Sequence, residues 1–250
     1  MQLGIIVVGS VNIDVIFIVG RVFQTRRFGL LGERSLQYSP SSLRDTSAGG
    51  GYYKVSERNM EKTFLTYLFA YLAGSINFAI IFFKLTGKED PRLSFSGNAG
   101  TTNVYRQAGY FWATVILLFD IGRALGVAAV AVHFLEGQYL PWACFFLVLG
   151  NSFPCFHGFR GGKGVANFLG FTAHIAPWAA MFSAAIWLVV YGIVRTTFIA
   201  SFFMIFTLAL GQAFTFGWHF NAITGVLAAF ILILFNHRKN IVNYRKTAEY

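Results

Sequence analysis

The chain has 250 residues, of which 56% are hydrophobic and only 12% charged, and its mean hydropathy is +0.57. A soluble domain is about a quarter charged, so this composition defines an integral membrane protein and excludes an ordinary water-soluble enzyme. The formal net charge of +10 is carried by basic residues divided among apolar spans. That is the pattern of loops meeting anionic lipid, not the single basic face that a nucleic-acid partner requires.

Residues 1–20 are rich in β-branched side chains, with Asp14 the one charge. They read as a strand in water or as an extra hydrophobic span. They make a poor cleavable signal, because no positive region precedes the apolar run. Val7 to Ile16, in Val-Val-Gly-Ser-Val-Asn-Ile-Asp, resembles the opening strand of ribokinase-type sugar kinases over about a dozen residues. Nothing like the catalytic half of such a kinase follows. Residues 21–62 are polar, with Arg21, Arg26, Arg27, Arg34 and Arg44 among their charges and the run Ser47-Ala-Gly-Gly-Gly51. They read as a linker or poorly ordered extension. The domain boundary is expected at 62/63.

From Thr63 onward the chain reads as an all-α membrane bundle. Apolar runs fall near 64–83, 110–134, 139–156, 164–173, 175–194, 197–216 and 219–236. This predicts seven spans, although the fourth run is short for a crossing and could be re-entrant. Placing the 84–109 loop inside puts Lys84, Lys88, Arg92, Arg106, Arg160, Lys163, Arg195, Arg238 and Lys239 on the cytoplasmic side. The turns near 135–138, 174 and 217 then lie outside without Lys or Arg, as the positive-inside rule expects. The basic stretch 21–62 falls outside in this arrangement.

Three polar segments thereby reach one face. The first, Ser94–Gly109, has Gly97 and Gly100 for a tight turn, donors on Ser96, Asn98, Thr101, Thr102 and Asn103, and the fixed charge of Arg106. Such turns cradle anions. The second ends in Arg160-Gly-Gly-Lys-Gly164. It is not a P-loop: His157 stands where the first glycine is needed and Gly164 where Ser or Thr is needed. Glycine amides at a helix start beside an ammonium still form an anion site. A helix turn with a snorkelling lysine is the plainer reading. The third, Asn236-His-Arg-Lys-Asn-Ile241, is by itself a basic cap on the last span. Asp120 and Arg123 lie three apart on one helix face. They form either a self-satisfied pair gripping a neighbouring helix or a route by which Arg123 approaches a bound phosphate. Cys144 and Cys155 read as core thiols, and the five histidines are scattered.

Taken together, the three segments resemble the bacterial acyl-phosphate:glycerol-3-phosphate acyltransferases of the PlsY type, over roughly residues 64–250. The first signature matches at Gly74, Ser75, Ile76, Asp90, Arg92, Ser96, Gly97, Asn98, Gly100, Thr102, Asn103, Arg106 and Gly109. The second matches at Gly150, Phe153, Pro154, Phe156, Phe159 and Gly161 through Ala166. The third matches at His237, Arg238, Asn240, Ile241 and Glu249. The chain departs from the family pattern in having Phe95 for a glycine, Thr101 for an alanine and Asn151 for a histidine. It also has Asn77 for a proline, Arg123 for a lysine and Thr247 for a glycine. Of a two-serine run, Ser201 survives.

The resemblance implies transfer of an acyl chain from acyl phosphate to the 1-hydroxyl of glycerol 3-phosphate at the cytoplasmic face of the bacterial inner membrane. It implies Ser96, Arg106, Lys163 and His237 as the catalytic set. Substrate binding falls to Arg92, Gly97, Asn98, Asn103, Gly161, Gly162, Ser201, Asn240 and Glu249. The partners are the two phosphorylated substrates and membrane lipid. The chemistry requires no metal or other cofactor, since a mixed anhydride is already activated and positioning can supply much of the rate. A transporter of a phosphorylated or lipid solute would use the same basic sites, although transporters usually bind near the midplane.

Overall fold

A computed structural model of the protein describes residues 48–248. The expectations for residues 1–20 and 21–47, and for Glu249, lie outside the described residues. Every regular element among the described residues is helical: α1 (Ala48–Ser75), α2 (Phe78–Leu85), α3 (Thr101–Phe134), α4 (Leu140–Ser152), α5 (Val165–Ile175), α6 (Pro177–Val194), α7 (Thr197–Thr215), α8 (Phe220–Asn236) and α9 (Arg238–Ala248). α1 runs through the expected boundary at 62/63 without a break.

Five stretches are long and apolar enough to cross a bilayer, and a sixth is obtained if α8 is joined to α9, which bends away by 45°. The seventh apolar run is α5. At 11 residues and roughly 1.5 Å per residue it is about 17 Å long, well short of a hydrocarbon core of about 30 Å.

Two features of the chain set the frame of the site. α3 contains a break at Gly109, with φ 84° and ψ 177°. The stretch expected as a loop up to Gly109 is therefore loop only to Gly100; Thr101–Ala108 is already helical, and the apolar span starts at Tyr110. Asn77, standing where the family pattern has proline, caps α2: its Oδ1 accepts from the Ile80 amide at 3.1 Å and its Nδ2 donates to the Ala99 carbonyl at 3.2 Å. One buried side chain thus starts a helix and anchors the end of the first polar loop.

α1 crosses α4 at Gly74 and Gly150. A Cβ on Gly74 would sit 2.2 Å from the Leu147 carbonyl oxygen, and one on Gly150 would sit 2.0 Å from that of Tyr71. In lipid, where apolar burial drives association little, such close backbone approach is the main source of helix–helix packing. Around this crossing Leu147, Val148, Phe168, Phe171, Ile205, Leu208 and Ile233 form the main buried core. Gln212 on α7 donates to Thr172 Oγ1 on α5 at 2.7 Å, a polar tie for the short helix. A second, smaller cluster of Ile80, Phe83, Val104 and Ile116 packs α2 beneath the first polar loop. Leu188, Val189, Ile193, Phe206 and Phe214 are exposed, as a lipid-facing surface requires.

Candidate active site

The first loop is folded by its own polar side chains. The amide of Asn103 is buried and donates to the carbonyls of Pro91 and, at 3.2 Å, Ser94. Asn103 therefore holds the loop from inside. Arg92 is also committed. It forms a two-nitrogen ion pair with Asp90, through Nη2 at 2.6 Å and Nε at 2.9 Å, while its Nη1 donates to the carbonyls of His157 at 2.6 Å and Arg160 at 2.8 Å. The Arg92 guanidinium holds the Asp90 carboxyl below the usual carboxylate range, and the pairing raises Arg92 in turn. Arg92 thus staples the first loop to the second. Ser96 and Asn98 remain half-buried and Arg106 is exposed. None of the three side chains makes a hydrogen bond or ion pair among the described residues. The Arg106 guanidinium lies 6.0 Å from the Phe95 ring centre.

The second loop returns over the end of α4. The Gly161 amide donates to the Ser152 carbonyl at 3.1 Å and the Gly162 amide to the Asn151 carbonyl at 2.9 Å. These two amides are therefore spent on the protein, not presented to an anion as the glycine pattern predicts. The glycines are needed for proximity: a Cβ on Gly161 would meet the Asn151 oxygen at 2.1 Å, and one on Gly162 the Asn151 Nδ2 at 2.7 Å. The amides that open α5 have no intrahelical partner. The Ala99 amide donates to the Gly161 carbonyl at 3.4 Å, so the first and second loops share a backbone contact.

The third segment closes on the second. Lys163 Nζ donates to Asn240 Oδ1 at 2.6 Å. Asn236, which carried no expected role, donates to Ser152 Oγ at 2.8 Å and to the Lys163 carbonyl at 3.3 Å. Its place at the end of an apolar run gives no sign of this bridge. His237 is buried, with Nδ1 2.8 Å from the Ile233 carbonyl oxygen and its ring 5.2 Å from that of Phe202. Nδ1 therefore carries the proton toward Ile233. Ser201 is spent within the bundle, donating to the Thr197 carbonyl at 2.9 Å and accepting from Trp187 Nε1 at 3.3 Å.

Electrostatics gather the remaining candidates. Burial pushes the Lys163 ammonium down to about 8, and the Arg106 charge pushes it the same way. Burial lowers the pKa of the His237 ring, and the Lys163 charge acts in the same direction. An anion beside Lys163 would relieve both the burial of its ammonium and the repulsion from Arg106. The structure thus joins Lys163 to Asn240 beside His237, with the exposed Arg106 acting on Lys163 only through its charge. It places Arg92, Asn103, Gly161 and Gly162 in the scaffold around them, and Ser201 in the bundle.

The chain is a polytopic helical membrane protein whose three basic polar segments are joined through Arg92, the Ala99–Gly161 contact and the Lys163–Asn240 bond. The family model described as "Glycerol-3-phosphate acyltransferase" matches residues 64–247, and the chain belongs to that family. Among similar proteins, a glycerol-3-phosphate acyltransferase of Coxiella burnetii is 35% identical over 74% of this chain and 95% of its own. One from Pseudomonas fluorescens is 43% identical over 54% of this chain and 71% of its own. The crystal structure of PlsY, an integral membrane glycerol 3-phosphate acyltransferase, in its glycerol 3-phosphate form is 33% identical, with a TM-score of 0.66 over 74% of this chain and 92% of that one. The lysophosphatidic acid form gives a TM-score of 0.64 at 32% identity.

Proposed function

We propose that the protein transfers an acyl chain from an acyl phosphate to the 1-hydroxyl of glycerol 3-phosphate, giving lysophosphatidic acid and inorganic phosphate. The observation that carries this reading is the Lys163–Asn240 bond between the second and third segments, with the Arg106 charge of the first segment acting on Lys163. Such a grouping holds phosphate while the apolar helix faces admit an acyl tail. The 1-hydroxyl oxygen attacks the acyl carbon, the bond from that carbon to the phosphate oxygen breaks, and the hydroxyl proton passes to the departing phosphate. Lys163 and Arg106 stabilise the charge that grows on that phosphate. Ser96, Asn98 and Asn240 hold the glycerol phosphate, with Gly97 giving the turn between Ser96 and Asn98. His237 orients the wall of the site.

The distribution of Lys and Arg supports a site on the cytoplasmic side of the bacterial inner membrane. The test is turnover by purified protein supplied with palmitoyl phosphate and glycerol 3-phosphate. Lysophosphatidic acid and phosphate should appear in equal amounts. Phosphate without lysophosphatidic acid would contradict the reading.

A further inference from the structure

Beneath the second loop lies a buried polar cluster that the reaction itself does not use. Arg123, on α3, is 7% exposed, and its Nη2 donates to Asp120 Oδ1 at 2.9 Å. The same nitrogen donates to Asn167 Oδ1 on α5 at 2.7 Å and makes a longer contact of 3.4 Å with Asn151 Oδ1 on α4. Asn151 and Asn167 are both buried. They flank the Gly161–Lys163 turn in the chain, one before it and one after it. Asn151 also supports the turn directly, since its carbonyl accepts from the Gly162 amide and Gly162 packs flush against its side-chain amide. A single guanidinium therefore ties both ends of the turn that carries Lys163 to a third helix. The Arg123 ring contact, 5.2 Å from the centre of Phe78, fixes the guanidinium plane from the other side.

We propose that Arg123 is a positioning residue for acyl transfer: through Asn151 and Asn167 it sets the Gly161–Lys163 turn, and hence the Lys163 ammonium, in the pocket. The two positions at which the chain departs from the family pattern in this region, Arg123 and Asn151, touch each other. They form one coupled replacement: the long Arg side chain carries Nη2 to the shorter Asn amide, while its Nε and Nη1 have no hydrogen-bond partner among the described residues. Lysine is shorter, with a single charge on a flexible stem, and does not carry its ammonium to the same place.

The rate consequence rests on the acyltransferase reading; the structural consequence does not. The test therefore uses two readouts on purified protein. The first is amide hydrogen exchange. Arg123→Lys, which keeps the charge beside Asp120, should speed exchange at Gly161 and Gly162 at least tenfold and leave the amide of Thr86, just past the end of α2, unchanged. The second is turnover of palmitoyl phosphate. Arg123→Lys and Asn151→His should each lower kcat about tenfold with KM for glycerol 3-phosphate changed less than about threefold, because a displacement of about 1 Å at a reacting group costs up to about 100-fold. The double variant should recover to within about threefold of wild type. If Arg123→Lys does not fold, Asn151→Ala, which leaves the Asp120–Arg123 pair intact, should give the same exchange result. Unchanged exchange at Gly161 and Gly162 overturns the proposal, as does a double variant no better than the product of the singles. Absence of wild-type turnover would count against the acyltransferase reading alone, since the exchange result decides the inference without it.

Discussion

Phe95 turns the chain through φ 52°, in the left-handed region that an L side chain enters at a cost of about 1–2 kcal/mol. The resemblance marks this position as a glycine in related sequences, and the backbone explains why: the turn before Ser96 needs that conformation whatever residue stands there. What Phe95 supplies in return is an exposed ring beside Arg106, worth about 0.5–1 kcal/mol at such a site. Phe95→Gly should therefore fold and stay active, with stability within about 1 kcal/mol of wild type. Phe95→Ala keeps the strain and loses the ring, so in thermal unfolding it should be less stable than the glycine variant by about 1 kcal/mol. Lys163 gives a second prediction at this scale. With its pKa near 8 it is mostly an ammonium at pH 7 and a neutral amine by pH 9. Phosphate needs the ammonium, so kcat/KM, which reports the free enzyme, should fall as pH rises through about 8. Stability moves the other way. An unfolded lysine titrates near 10.4, so between about 8 and 10 the unfolded chain binds more protons and this residue's contribution to stability rises with pH. An activity profile flat to pH 10 would contradict the placement of Lys163.

The helices are packed through small residues, and their positions decide which substitutions matter. Gly74→Ala or Gly150→Ala puts a methyl within about 2 Å of a facing carbonyl oxygen. α1 and α4 must then separate, at a cost of about 1–3 kcal/mol. Gly122, on α3, has open space where its Cβ would lie, so Gly122→Ala is the tolerated control in the same unfolding measurement. The apolar runs were legible because hydropathy alone marks membrane helices. Hydropathy does not show where a helix breaks: the turn at Gly109 and the helical start at Thr101 depend on backbone geometry that an Arg-Gln-Ala-Gly sequence does not display. α5 is the opposite case. Its shortness was visible in the sequence, and the structure makes it a packed half-length helix tied by Thr172 to Gln212.

At the scale of the whole molecule, the sequence motifs located the site but not the division of labour within it. Charge patterning brought three segments to one face, and the structure joins them through Arg92, the Ala99–Gly161 contact and the Lys163–Asn240 bond. Motif residues of one chemical type then separate by partner. Arg92 is consumed by Asp90 and loop carbonyls, while the exposed Arg106 guanidinium lies beside the Phe95 ring and makes no hydrogen bond or ion pair among the described residues. The Gly161 and Gly162 amides bond inward, so these glycines serve close approach rather than anion binding. None of this can be read from a motif, because it depends on which carbonyls the fold places nearby. The most direct test of the account is turnover of palmitoyl phosphate and glycerol 3-phosphate by wild type and Lys163→Ala side by side, with both proteins shown to be monodisperse. The account predicts lysophosphatidic acid and phosphate in equal amounts from wild type, and a rate lower by about 100- to 1,000-fold in the variant, as for loss of one charge-stabilising group. Undiminished turnover by Lys163→Ala, or none from well-folded wild type, would contradict it.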